Sequence, residues 1–172
     1  MITGGARGIG RAAALDLAAQ GWSVAFCWRT SRAEAESLAQ ALERAGARAL
    51  SVQCDVSDPA ACEQLVGRVQ AELGRIDALL NCAGPYRRVS LFEETIEGWR
   101  EMFDGNLHPV FYMSRLVAPL MRSQESGRIV NFSMANADSL LAQPNVTAHY
   151  IAKAGILVLT RTLAKLLGPH GI

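Results

Sequence analysis

The sequence predicts an α/β fold: a parallel β-sheet covered by helices on both faces, three layers in all. Three observations predict it. Short apolar runs alternate with helical segments along the 172 residues, as in βαβ units. The runs are continuous rather than alternating, as expected for strands buried on both faces. A glycine-rich turn joins the first run to the first helix, an arrangement that makes an anion site of a helix N-terminus.

Taken in order, the first strand has only "MIT" before the turn, where a full strand needs a few more residues. "TGGARGIG" then opens a helix over 8–20, and "WSVAFCW" (22–28) is the second strand. In "SRAEAESLAQALERAG" apolar positions recur every three or four residues, and Gly46 stops a helix over 31–45. "ARALSVQC" (47–54) is the third strand. "SDPAACEQLVGRVQAELG" has Asp58 as cap, Pro59 at the first helical position and Gly74 as stop, for a helix over 58–74. "IDALLNCA" (76–83) and "RIVNFS" (128–133) are the remaining strands, with helices over 97–123 and 147–167. Five strands, one of them short, leave "IVNF" at an exposed edge that invites pairing with another chain. The last helix stops at "GPHGI", with Ile172 where another strand should begin. Residues 1–172 are therefore expected to be one domain, incomplete at both ends, with C-terminal strands missing.

Composition narrows the function classes. The chain is 50% hydrophobic and 19% charged, ordinary for a globular domain large enough to bury a core. A formal net charge of +1 offers no field for nucleic acid or an anionic membrane. No apolar run is long enough to span a bilayer, and the N-terminus lacks a signal pattern. Cys27, Cys54, Cys62 and Cys82 form no CxxC pair and have no histidine at metal-ligand spacing. They read as reduced, packed thiols of a cytoplasmic protein without a metal.

The glycine turn points to a dinucleotide. Gly4, Gly8 and Gly10 permit a tight turn, close approach of a pyrophosphate and close helix–strand packing. An NAD site usually carries an acid about 20 residues beyond the glycines. Here that stretch reads "CWRTSR", with no acid before Glu34. The guanidinium of Arg29 and the hydroxyl of Thr30 suit a 2′-phosphate instead, with Arg7 as a second cation. The expected cofactor is NADP(H).

Five motifs in order, "TGGARGIG", "CDVSD", "NCAG", "GNLHPVF" and "YIAK", resemble those of the short-chain dehydrogenase/reductase family over nearly the whole chain. The resemblance implies a doubly wound Rossmann-type sheet that binds NAD(P). By it, Gly4, Arg7, Gly8, Ile9 and Gly10 hold the pyrophosphate, and Asp55 and Val56 border the adenine. Asn81 braces the sheet, Ala83 and Gly84 line the cofactor groove, and Asn106 holds a water in a proton relay. The family members similar to this chain reduce 3-oxoacyl or pteridine substrates and pair through their two long helices. A small-molecule carbonyl substrate and a homodimer or homotetramer are therefore implied.

The chemistry of "YIAK" agrees with that resemblance. Residues three apart share a helix face, so Lys153 can place its charge near Tyr150. A neighbouring cation favours phenolate and brings the phenol, ordinarily near pKa 10, towards use as a general acid or base. Tyr150 is expected to give a proton to a carbonyl while NADPH supplies hydride; in the family the lysine also bonds the nicotinamide ribose.

The site departs from the family at the strand end, where a serine pair is replaced by Ser133–Met134. A thioether donates no hydrogen bond. Ser133 is one replacement; Asn136 or Ser139, brought in by a longer loop, are others. If none serves, the chain is a nucleotide-binding relative with little turnover. His149 reads as a surface residue on the opposite side of the helix from Tyr150. Arg87 and Arg88 read as loop charges in solvent, and His108 and Trp99 as helix packing.

Overall fold

A computed structural model of the chain describes residues 1–172. Five strands form one sheet: β1 (Ile2–Thr3), β2 (Val24–Trp28), β3 (Ala49–Gln53), β4 (Ala78–Asn81) and β5 (Arg128–Asn131). Their order is β3-β2-β1-β4-β5, with every neighbouring pair parallel. Five helices connect or follow them: α1 (Gly8–Ala19), α2 (Arg32–Arg44), α3 (Pro59–Leu73), α4 (Ile96–Ser123) and α5 (Thr147–Leu167). The order reverses between β1 and β4, and a doubly wound sheet opens a crevice at that switch point, beyond the carboxyl ends of its strands.

Two cores make the three layers. On one face Leu65, Val66 and Val69 of α3 and Met113, Val117 and Met121 of α4 pack against Ala25, Cys27, Leu50 and Val52. On the other, Ala14 and Ala18 of α1 and Ala35, Leu38 and Leu42 of α2 pack against Ile2, Val24 and Phe26. α5 lies against α4. The helix signals act as expected: Asp58 accepts from the Ala60 N–H at 2.9 Å, and Gly74 ends α3 at φ 79°.

The strands are shorter than the apolar runs that encode them: at the carboxyl ends Cys54, Cys82 and Ala83 turn into the lining of the crevice, while Trp22, Ser23, Ile76 and Asp77 trim the opposite ends. Continuous burial holds for β2, where Val24, Ala25, Phe26 and Cys27 are all buried. The outer strands differ: β3 alternates, and β5 buries none of its four residues, Val130 being 43% exposed. β5 is the edge that the sequence led us to expect.

Candidate active site

The crevice is built by bare backbone. Gly4 sits at φ +64°, and a Cβ there would stand 2.9 Å from the Cα of Ala83. At Gly10 a Cβ would stand 2.6 Å from the Gly4 carbonyl oxygen. The two glycines let α1 start directly against β1 while β1 abuts the end of β4. Thr3 ties the same ends together, its hydroxyl accepting from the Ala83 N–H at 3.2 Å. Arg7, the residue before α1, is extended and offers no side-chain cap. The first-turn N–H groups of Gly8, Ile9 and Gly10 are thus free for an anion at the positive end of the helix.

A groove of about 460 Å³ runs from this turn across the sheet ends. It is lined by Gly4, Arg7, Gly8, Ile9 and Gly10, by Arg29 and Thr30, by Asp55 and Val56, and by Ala83 and Gly84. These are eleven of the expected cofactor residues. Asn81 is buried below the groove and donates from Nδ2 to Oδ1 of Asn131 at 2.8 Å, bracing β4 against β5. Arg29 is exposed and lies 3.6 Å from the Asp55 carboxylate. Burial pushes the Asp55 carboxyl up, but two hydrogen bonds from Ser57 and the charge of Arg29 outweigh it and leave the pKa below its ordinary value. Cys27 and Cys54 form part of the floor; their shared thiol hydrogen bond and burial push Cys27 well above the ordinary thiol range.

At the far lip of the groove, Gly84 is flanked by the Asn106 Oδ1 and by the Lys153 Nζ. Asn106 donates from Nδ2 to the carbonyls of Pro85 (3.0 Å) and Met102 (2.9 Å), while its Oδ1 is buried without a partner. Lys153 donates to the Phe132 carbonyl at 3.0 Å, and burial lowers its pKa against a small opposing effect of Cys82. Gly105 lets α4 come close beneath Pro85, since a Cβ there would lie 2.5 Å from the proline ring.

The hydroxyls are placed differently from expectation. Ser133 donates to the backbone carbonyl of Lys153 at 2.7 Å, so it positions α5. Tyr150 is 6% exposed. Its hydroxyl donates to the Asn136 carbonyl at 2.7 Å and accepts from the Leu141 N–H at 2.9 Å. The phenol thus packs with Ala137, Val146 and Met134 inside the 134–146 loop. Neither Tyr150 nor Lys153 lines the main groove; Tyr150 borders a smaller apolar pocket with Leu140, Leu141 and Ile151.

Three side-chain readings need correction. His149 is buried, 8% exposed, with its ring edge-on to Tyr86 at 5.1 Å. It faces the loop after β4 because the turn of α5 carries it there rather than outward. Arg87 does not float in solvent: it donates to Glu94 at 2.6 Å and Glu101 at 3.4 Å, over Gly98, whose missing Cβ leaves room for the guanidinium. Trp99 packs on Phe103 at 5.4 Å, but His108 is a surface partner of Asp104 at 2.8 Å. His149 is the residue that the sequence reading misplaced, setting it on the surface and not at the pocket mouth. The signal was present: it stands four residues before Lys153, the other spacing that shares a helix face.

Comparisons with known proteins fit this geometry. The profile of the family described as short chain dehydrogenase matches residues 1–172. A 3-oxoacyl-[acyl-carrier-protein] reductase of Synechocystis is 34% identical over the whole chain, which covers 69% of that relative. The short-chain reductase protein NovJ of Streptomyces niveus is 41% identical over the whole chain, covering 64% of it. The solved short-chain dehydrogenase/reductase of Serratia marcescens superposes with a TM-score of 0.91 at 30% identity, over 98% of this chain and 68% of that one. The chain thus spans about two thirds of the length of the relatives it matches.

Proposed function

The chain belongs to the short-chain dehydrogenase family of oxidoreductases, and from that premise we propose that it transfers hydride between NADP(H) and a carbonyl–alcohol pair. The observation that carries the reading is the groove itself. A glycine turn with free N–H groups stands at one end, Arg29 and Thr30 stand beside it, and Lys153 stands at the far lip. These residues fit the cofactor: phosphates at the start of α1, a 2′-phosphate on Arg29, adenine over Asp55 and Val56. NADPH supplies the hydride, or NADP⁺ accepts it, when bound. Lys153 presents a partly desolvated ammonium to the ribose side, and Asn106 offers its unpartnered Oδ1 beside it. A 3-oxoacyl thioester is the substrate class that the relatives suggest.

A second reading, a nucleotide-binding relative with little turnover, draws on the sealed hydroxyl of Tyr150 and on Met134. One experiment separates the two. NADPH consumption is followed with a panel of 3-oxoacyl thioesters and simple ketones, and NADPH binding is titrated in parallel. Turnover supports the first reading; tight binding without turnover supports the second; neither binding nor turnover contradicts both.

A further inference from the structure

We infer that His149, rather than Tyr150, is the side chain of α5 that exchanges a proton with the substrate, a statement that rests on the proposed hydride transfer. Around an α-helix, a residue four before Lys153 is offset by about 40° and one three before by about 60° the other way. His149 and Tyr150 therefore flank the lysine from opposite sides. The structure separates them accordingly.

Tyr150 turns into the 134–146 loop, where its one proton and an acceptor position are both used. His149 turns towards the groove lip. It lies against Tyr86, close to the Pro85 carbonyl, and its Nδ1 is buried with no partner. Buried polar atoms are nearly always paired, so an unpaired one asks for a reason. A substrate hydroxyl at the end of the groove supplies one. The exposed ring of Tyr86 lies edge-on to the imidazole at 5.1 Å, at the end of the loop that also carries Pro85 into the groove lining.

The surroundings set the direction of the chemistry. Burial first, then the charge of Lys153, lower the imidazole pKa from 6.5, with the Pro85 carbonyl pulling weakly upward. Lys153 is the charged group facing it. Asn106 from α4 is uncharged, Tyr86 presents its ring, and the Cys82 thiol beside Lys153 is pushed up to about 11 by burial and stays protonated. The resting imidazole is neutral and works as a base. In alcohol oxidation the substrate C–H bond breaks and its hydride goes to NADP⁺. The O–H bond breaks and its proton goes to Nδ1, and the C=O bond forms. The reverse reaction needs the imidazolium, which the Lys153 charge disfavours. Above the imidazole pKa the site therefore favours oxidation.

The test uses wild type, His149→Gln, His149→Phe and Tyr150→Phe, with NADP⁺ and the N-acetylcysteamine thioester of 3-hydroxybutyrate as probes. Both His149 variants should retain NADP⁺ binding and lose oxidation by on the order of 100-fold or more. Tyr150→Phe should retain most of its rate. The wild-type rate should rise with pH to a plateau, with a midpoint below 6.5 that Lys153→Met moves upward. A collapse in Tyr150→Phe with His149→Gln intact overturns the inference. If wild type turns over no probe, the hydride-transfer reading fails instead. The histidine placement is then decided by NMR of labelled imidazoles: a His149 signal that titrates below 6.5 and shifts on NADP⁺ addition upholds it. One that titrates at or above 6.5 and ignores the cofactor overturns it.

Discussion

Tyr150 and His149 are neighbours in sequence with opposite environments, and each makes a stability prediction. The Tyr150 hydroxyl pairs with the Asn136 carbonyl and the Leu141 N–H in a half-buried setting. Tyr150→Phe removes both bonds, and urea unfolding should show a loss of about 0.5–1.5 kcal/mol. A loss below the error of the measurement would mean that the loop does not hold the phenol. His149 acts through pH. Its pKa falls on folding, so the unfolded chain binds the proton more readily. Stability is then full above 6.5 and declines as pH drops through that value, a decline that His149→Phe should flatten. Asp55 acts in a different window: its lowered pKa contributes stability above 3.8 that is lost on further acidification. Thermal melts between pH 5 and 8, within about the stable range of most domains, therefore report the histidine alone of the two. The roles of Tyr150 and His149 were not legible in sequence. A helix pattern fixes which residues share a face, but a phenol and an imidazole at adjacent positions both qualify, and loop packing decides between them.

Elements were far more legible. Each helix expected from cap, period and stop is present, and α5 spans Thr147–Leu167 as its pattern indicates. Strand ends were the weak point, because "IDALLNCA" is apolar through Ala83 while its backbone leaves the sheet at Asn81 to shape the groove. The 134–146 loop was least legible. It holds two non-glycine residues at positive φ, Asn136 at 60° and Leu140 at 50°, and it is stitched to the loop after β4 by the Leu91 N–H and Pro144 carbonyl at 2.9 Å. Such strain is imposed by long-range packing. At the other end of the groove the link from element to function is direct. Gly10→Ala would push a Cβ into the Gly4 carbonyl, 2.6 Å away, where only backbone can move. The expected result is a loss of about 1–3 kcal/mol in unfolding together with weakened NADPH binding in titration, since α1 must shift off the phosphate site.

Within residues 1–172 two surfaces expose apolar side chains. β5 is an edge strand with half-exposed Val130, and the long helices carry exposed Phe111 (49%), Ile151 (43%) and Val158 (65%). A homodimer formed through α4 and α5 is expected, and sedimentation should show Val158→Glu shifting it towards monomer; an unchanged species would point to the sheet edge instead. No helix is long and apolar enough to cross a membrane. An NADP(H) site in the groove turns on Arg29, which is held near Asp55 but exposed enough to turn to a phosphate. A hydrogen-bonded charge of this kind contributes about 1.5–3 kcal/mol, or on the order of tenfold or more in affinity. The most direct test is a calorimetric titration of NADPH and NADH into wild type and Arg29→Ala. NADPH should bind at least about tenfold tighter than NADH in wild type, with the preference lost in Arg29→Ala. Equal affinities in wild type, or a preference that survives removal of Arg29, would contradict it.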